Sequence, residues 1–183
     1  RELRGSKEVL RIHTFQTFGI SESALDERVM EVVPAEDARV AFRAAFPQIS
    51  VRLTVQDSPG RAEERLAVVA ARVREHIGAY IFAEGDVSME QEVGRVLVAR
   101  GATLALAESC TGGLVSHRLT SVAGSSAYLL AGYVTYSNAA KQDVLGVRAE
   151  TLAAHGAVSE ETAREMAEGA RRRSGASVAV ATT

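Results

Sequence analysis

A short apolar run, Thr103-Leu104-Ala105-Leu106-Ala107, breaks directly into Glu108-Ser109-Cys110-Thr111-Gly112-Gly113, and a helical stretch follows over 112–119. A strand this uniformly apolar has to be buried, and a helix that follows it through a turn of small residues makes it part of an α/β unit rather than a hairpin. The surrounding pattern agrees. A helix over 88–100, capped by Ser88 and stopped at Gly101, precedes the run. A strand over 129–136, a short helix over 139–145, a helical turn over 151–155 closed by Gly156, a helix from Ser159 to about residue 173 and a strand over 178–181 come after it. Strands alternating with helices predict a mainly parallel sheet in an α/β/α layered domain, here assigned to residues 86–183.

Residues 1–85 have a different character. A β-branched and aromatic stretch over 8–18 reads as a strand, and Ser21 or Ser23 caps a helix over 24–33. Two further strands, 39–45 and 48–56, flank Phe46-Pro47; in the second, Ile49, Val51, Leu53 and Val55 alternate with Ser50, Arg52, Thr54 and Gln56. After the turn Ser58-Pro59-Gly60, an amphipathic helix over 61–77 carries Leu66, Val69, Ala70, Val73 and Ile77 on one face, and Tyr80-Ile81-Phe82 closes the block. The order β-α-β-β-α-β predicts a small α+β domain. With no Trp and 5% aromatics in 183 residues, Ala, Val and Leu must fill both cores, which suits helices packed on sheets.

The bulk numbers narrow the function classes. A net charge of −2 gives no general drive toward nucleic acid or anionic membrane, and Arg171-Arg172-Arg173 sits where cations complement a helix C-terminus. One cysteine excludes an internal disulfide and a multi-cysteine zinc site and fits a reducing, cytoplasmic setting. No apolar stretch is long enough to span a bilayer and the start does not read as a signal peptide, so no membrane partner is expected.

Two places carry chemistry. The 107–113 turn can aim backbone N–H groups at a bound group, which suits an oxyanion or a phosphate, and makes Ser109 or Cys110 a candidate nucleophile; the same residues also fit a plain strand–turn–helix. If the strands over 103–107 and 129–136 are successive and parallel, their ends share one sheet edge, and equivalent points about thirty residues apart match a βαβ unit. Ser109 and Lys141 then lie on the same rim. Lysine is a base near neutrality when desolvated, and the stretch 128–142 has few charges; spacing alone favours a solvated lysine on a surface helix.

Several motifs in order, Ala107-Glu108-Ser109-Cys110-Thr111-Gly112-Gly113, Ala123-Gly124-Ser125-Ser126, Gly132-Tyr133-Val134-Thr135-Tyr136-Ser137-Asn138, Lys141 and His155-Gly156-Ala157-Val158-Ser159, resemble the C-terminal domain of the competence/damage-inducible protein A (CinA) family. The resemblance implies a nicotinamide-nucleotide amidohydrolase that deamidates nicotinamide mononucleotide to nicotinate mononucleotide and ammonia, in pyridine-nucleotide recycling, without metal or cofactor. It implies Ser109 as nucleophile and Lys141 as base, with Ser126 and Tyr136 assisting. Glu108, Cys110, Thr111, Gly112, Gly113 and Asn138 are expected around the substrate, with Glu108 turned away from Lys141, toward the ribose or a backbone group. Backbone N–H groups of the 110–113 turn are expected to receive the oxyanion.

The first block resembles the family's KH-like middle domain. It lacks the G-x-x-G loop with which KH modules clamp nucleic acid, so residues 1–85 read as a spacer or dimerisation element, with a homodimer expected and nucleic acid not. Residues 1–7 resemble the tail of a preceding domain, and the family continues past the strand at 177–183 into a glycine-rich loop and further strands, so the second domain reads as incomplete at its C-terminus. Two other readings compete: a cysteine hydrolase built from Glu108, Lys141 and Cys110, and a non-catalytic nucleotide-binding or interaction module.

Overall fold

The computed structural model describes residues 8–183, which fall into two compact units that part between Met89 and Glu90. Residues 1–7, read above as the tail of a preceding domain, lie outside the described residues.

In the first unit, β1 (Val9–Phe18), α1 (Glu22–Val32), β2 (Arg39–Ala45), β3 (Gln48–Asp57), α2 (Pro59–Ile77) and β4 (Ile81–Glu84) follow in order. The strands form an antiparallel sheet, β2-β3-β1-β4, and a core drawn from the sheet and both helices joins them. Period-two alternation decides which side chains enter that core. Ile49, Val51, Leu53 and Val55 of β3 are buried with Phe15, Leu25, Val29, Val69, Val73 and Ile77, while Arg52 and Gln56 stay exposed. Ser21 caps α1 by accepting the Ala24 N–H. The mixed α+β class read from the sequence is the observed one, with the last strand beginning at Ile81 after a 3-10 turn over Gly78–Tyr80.

The second unit comprises α3 (Met89–Ala99), β5 (Leu104–Glu108), α4 (Leu114–Thr120), β6 (Leu129–Val134), α5 (Asn138–Leu145), α6 (Ala149–His155), α7 (Glu160–Ser174) and β7 (Val178–Thr182). Its three strands are all parallel in the order β6-β5-β7. β5 is central and every one of its residues is buried, which explains its apolar run Leu104–Ala107; the exception to that run is its last residue, Glu108. Leu104 and Leu106 pack with Leu97, Val115, Leu119 and Leu129 on one face. Ala105 and Ala107 pack with Leu145, Val147, Met166 and Ala170 on the other. Among the described residues, no helix is long and apolar enough to cross a membrane.

Two local differences from the sequence reading bear on the site. α4 begins at Leu114, because Gly112 and Gly113 adopt φ of +59° and +97°, outside the helical region. β6 ends at Val134; Thr135 makes one more cross-strand bond, to the Glu108 carbonyl at 2.8 Å, and Ser137 then caps α5.

Candidate active site

Parallel pairing carries β5 and β6 to the same edge of the sheet, and the residues just past their ends meet there. Lys141, in the first turn of α5, is 1% exposed. Its Nζ lies 2.9 Å from Ser109 Oγ, 2.8 Å from the Thr135 carbonyl oxygen and 3.0 Å from the Tyr136 carbonyl oxygen. Ser109 is itself buried, and its N–H donates to the Thr182 carbonyl at 2.9 Å, so the neighbouring strand β7 fixes its backbone. Among the described residues Lys141 has no carboxylate partner. Burial without a counter-charge pushes its amine below the usual lysine range, and the charge interaction with nearby Cys110 opposes this. The lysine is therefore not the solvated surface residue that its spacing favoured.

Glu108 shows why the pair escapes a counter-charge. It is adjacent to Ser109 in sequence, yet strand alternation turns the two side chains to opposite faces of the sheet. Its carboxylate goes to the start of α4. Oε2 accepts from Thr111 Oγ1 and from the N–H groups of Gly113 and Val115, at 2.7, 3.0 and 3.0 Å. Oε1 accepts from the Ser116 N–H and hydroxyl, at 2.8 and 2.6 Å. These bonds outweigh the opposing effect of burial and hold the group below the ordinary carboxylate range. Glu108 turns away from Lys141 as expected and takes the backbone direction of the two that were open; a direct substrate contact is corrected, since it is 1% exposed and engaged by five protein donors. The same geometry removes a Glu108–Lys141–Cys110 arrangement, since the glutamate lies across the sheet from the lysine.

The remaining expected residues divide by position. Cys110 is exposed on the turn directly after Ser109. Thr111 Oγ1, besides its bond to Glu108, lies 2.8 Å from Thr182 Oγ1. Gly112 and Gly113 shape the turn. Tyr136 is 76% exposed at the rim beside the buried pair, and Asn138 is exposed at the start of α5. Ser126 does not join them. It sits in the turn Ser125–Ala127 ahead of β6, and the start of that strand pairs with Leu104 at the far end of β5. The rise along β5, about 13 Å, separates that pairing from the Ser109 end of the strand. Within this chain Ser126 therefore lies apart from the Ser109–Lys141 pair that it is expected to assist.

Three contributors had no clear signal in the sequence. The Thr135 and Tyr136 carbonyls that hold Nζ are backbone groups, which any residue type supplies. Ser116 supplies two of the five donors to Glu108 from the far side of the glycine turn. Gly169, inside α7, lies so close to α5 that a Cβ there would meet the Leu145 carbonyl oxygen at 1.9 Å. A lone glycine within a helix was the available hint of such an approach.

Residues 86–183 match the family model of the CinA C-terminal domain. The chain belongs to the CinA family. Residues 13–83 match a second CinA model, the damage-inducible protein CinA KH domain. A CinA-like protein from Chloroherpeton thalassium is 43% identical over 181 residues, covering 97% of this chain and 43% of that protein. A CinA-like protein from Chlorobium phaeobacteroides is 46% identical over 182 residues, with 97% and 43% covered. The chain thus spans less than half the length of these CinA relatives. Among solved CinA structures, competence damage-inducible protein A from Klebsiella pneumoniae superposes with a TM-score of 0.50 at 49% identity, covering 50% of this chain and 57% of that one. A CinA superfamily protein from Escherichia coli gives 0.51 at 37% identity, covering 51% and 55%.

Proposed function

We propose that the Ser109–Lys141 pair hydrolyses the carboxamide of nicotinamide mononucleotide, giving nicotinate mononucleotide and ammonia. The observation that carries this reading is the surroundings of Nζ. Two of its three oxygen neighbours are carbonyls, which can only accept. A neutral amine has two N–H bonds and one lone pair. With both N–H bonds given to Thr135 and Tyr136, the lone pair is left for the third neighbour, Ser109 Oγ, and takes the hydroxyl proton. Burial favours that neutral form.

The reaction follows from this arrangement. Lys141 removes the Ser109 proton as Oγ bonds to the amide carbon, and backbone N–H groups of the turn directly after Ser109 receive the oxyanion. The lysine returns its proton to the leaving nitrogen, the C–N bond breaks and ammonia departs from an ester on Ser109. Water, deprotonated by the same lysine, then cleaves the ester. Tyr136 and Asn138, exposed at the rim, are the side chains we assign to the nucleotide and to the departing ammonia. Cys110 faces the rim beside the nucleophile without entering this proton transfer.

The reading is tested by ammonia release from nicotinamide mononucleotide, comparing wild type with Lys141→Ala and Ser109→Ala. Loss of several hundred-fold or more in kcat for Lys141→Ala, with substrate binding retained, is the scale of general-base catalysis. A Lys141→Ala protein within about tenfold of wild type refutes the base. Activity that survives Ser109→Ala refutes the nucleophile.

A further inference from the structure

The backbone donors around the nucleophile can be followed one by one. The Ser109 N–H donates to the Thr182 carbonyl, and the Gly112 N–H turns back onto the Ser109 carbonyl at 3.1 Å. The Leu114 N–H donates to the Thr111 carbonyl at 3.0 Å. Gly113, Val115 and Ser116 give theirs to the Glu108 carboxylate. From Ser109 to Ser116, among the described residues, this leaves the N–H groups of Cys110 and Thr111 without a protein acceptor. Both belong to a turn whose first residue is exposed, directly after the buried hydroxyl. Where a serine sits on a strand-to-helix turn, the N–H of the following residue is a natural oxyanion donor.

We infer that the oxyanion is bound by the backbone N–H groups of Cys110 and Thr111, and that Glu108 is the positioning residue that leaves those two donors free. The inference rests on the deamidase reading above and adds to it which donors act and what holds them. The buried carboxylate gathers five donors onto one side of the turn, opposite the Ser109–Lys141 face. Gly112 and Gly113 permit the reversal because their positive φ values turn the chain before α4 begins. Without the carboxylate, three N–H groups and two hydroxyls lose their acceptor, and residues 110–113 are held relative to Oγ only by the Gly112 N–H on the Ser109 carbonyl, the Leu114 N–H on the Thr111 carbonyl and the Thr111–Thr182 hydroxyl contact.

The test is Glu108→Gln in the full protein, with Thr111→Val as a milder variant that removes one donor from the carboxylate. A glutamine places two N–H donors among groups that are themselves donors. Turnover is measured beside affinity for the 3-formylpyridine analogue of the substrate, whose aldehyde Ser109 adds to reversibly. In that adduct an Oγ–C bond replaces the carbonyl π bond, and the hydroxyl proton passes to Lys141. Removal of one such donor costs about a hundredfold or more in kcat elsewhere, and a loss of that size is expected here, with KM held. Analogue affinity should fall by the same factor while affinity for nicotinate mononucleotide and the acid limb of the pH–rate profile stay in place; Thr111→Val should move the same way by less. A raised KM with kcat retained overturns the positioning role in favour of substrate contact. Equal loss of analogue and product affinity overturns it in favour of general disorder. Wild-type protein that neither releases ammonia nor forms the adduct sinks the deamidase reading itself, whereas an active wild type with an unchanged Glu108→Gln sinks the positioning role alone.

Discussion

Gly169→Ala should disable the site from a residue that touches neither reactant. The built Cβ would lie 1.9 Å from the Leu145 carbonyl oxygen, 2.7 Å from its carbon and 3.0 Å from Cα. All three atoms are backbone, so no side-chain rotation relieves the contact. Ordinary contact begins at 3.4 Å, so α5 and α7 must part by about 1.5 Å at this point. Overpacking of this kind costs about 1–3 kcal/mol, which for a unit of this size corresponds to a Tm loss of roughly 5–20 °C. Leu145 ends α5, one helical turn after Lys141. A shift of that helix by even 1 Å stretches the 2.9, 2.8 and 3.0 Å contacts of Nζ beyond good hydrogen-bond length. Misplacement on that scale costs about a hundredfold in turnover. Thermal melts followed by circular dichroism, together with ammonia release at saturating substrate, measure the two effects. Gly60→Ala is the control, because a Cβ there has nothing within 4 Å. Wild-type Tm and turnover in Gly169→Ala would refute the claim that this close approach sets the lysine.

Two further expectations concern pH. The rate should rise as Lys141 loses its proton, with the limb below the ordinary lysine pKa of about 10.4 because burial disfavours the charged form. Cys110→Ser should move that limb further down by removing the neighbouring side chain whose charge interaction favours the protonated lysine, and a limb unmoved or shifted up contradicts this electrostatic account. Glu165 joins α6 to α7 by accepting from the Arg148 N–H, the Arg148 guanidinium and Thr151 Oγ1, and these bonds hold its pKa at about 2. A depressed carboxylate contributes stability that is present above its unfolded value and lost as pH falls toward about 2. Glu165→Gln should therefore melt lower than wild type at pH 7, with the difference closing in acid; a gap that persists at pH 2 rules out this source.

The sequence by itself determined the order and type of nearly every element, because periodicity and capping are local. The alternation of Ile49, Val51, Leu53 and Val55 could bury only one face of β3, and the uniform run of β5 read as a buried strand. It also brought Ser109 and Lys141 to one rim, since both follow parallel strands joined by a helix. Tertiary structure decided what those residues are. Whether Lys141 is solvated depends on the ends of β5 and β6 meeting it at the sheet edge, through contacts that α5 alone does not encode. Glu108 and Ser109 are chain neighbours, yet the pleat sends one to clamp a turn and the other to the lysine. Ser126 belongs to the same string of motifs, yet parallel pairing leaves it at the opposite end of the sheet. Sequence neighbours share a chain; a site needs a shared face and edge, and those are set by pairing and packing between segments far apart in sequence.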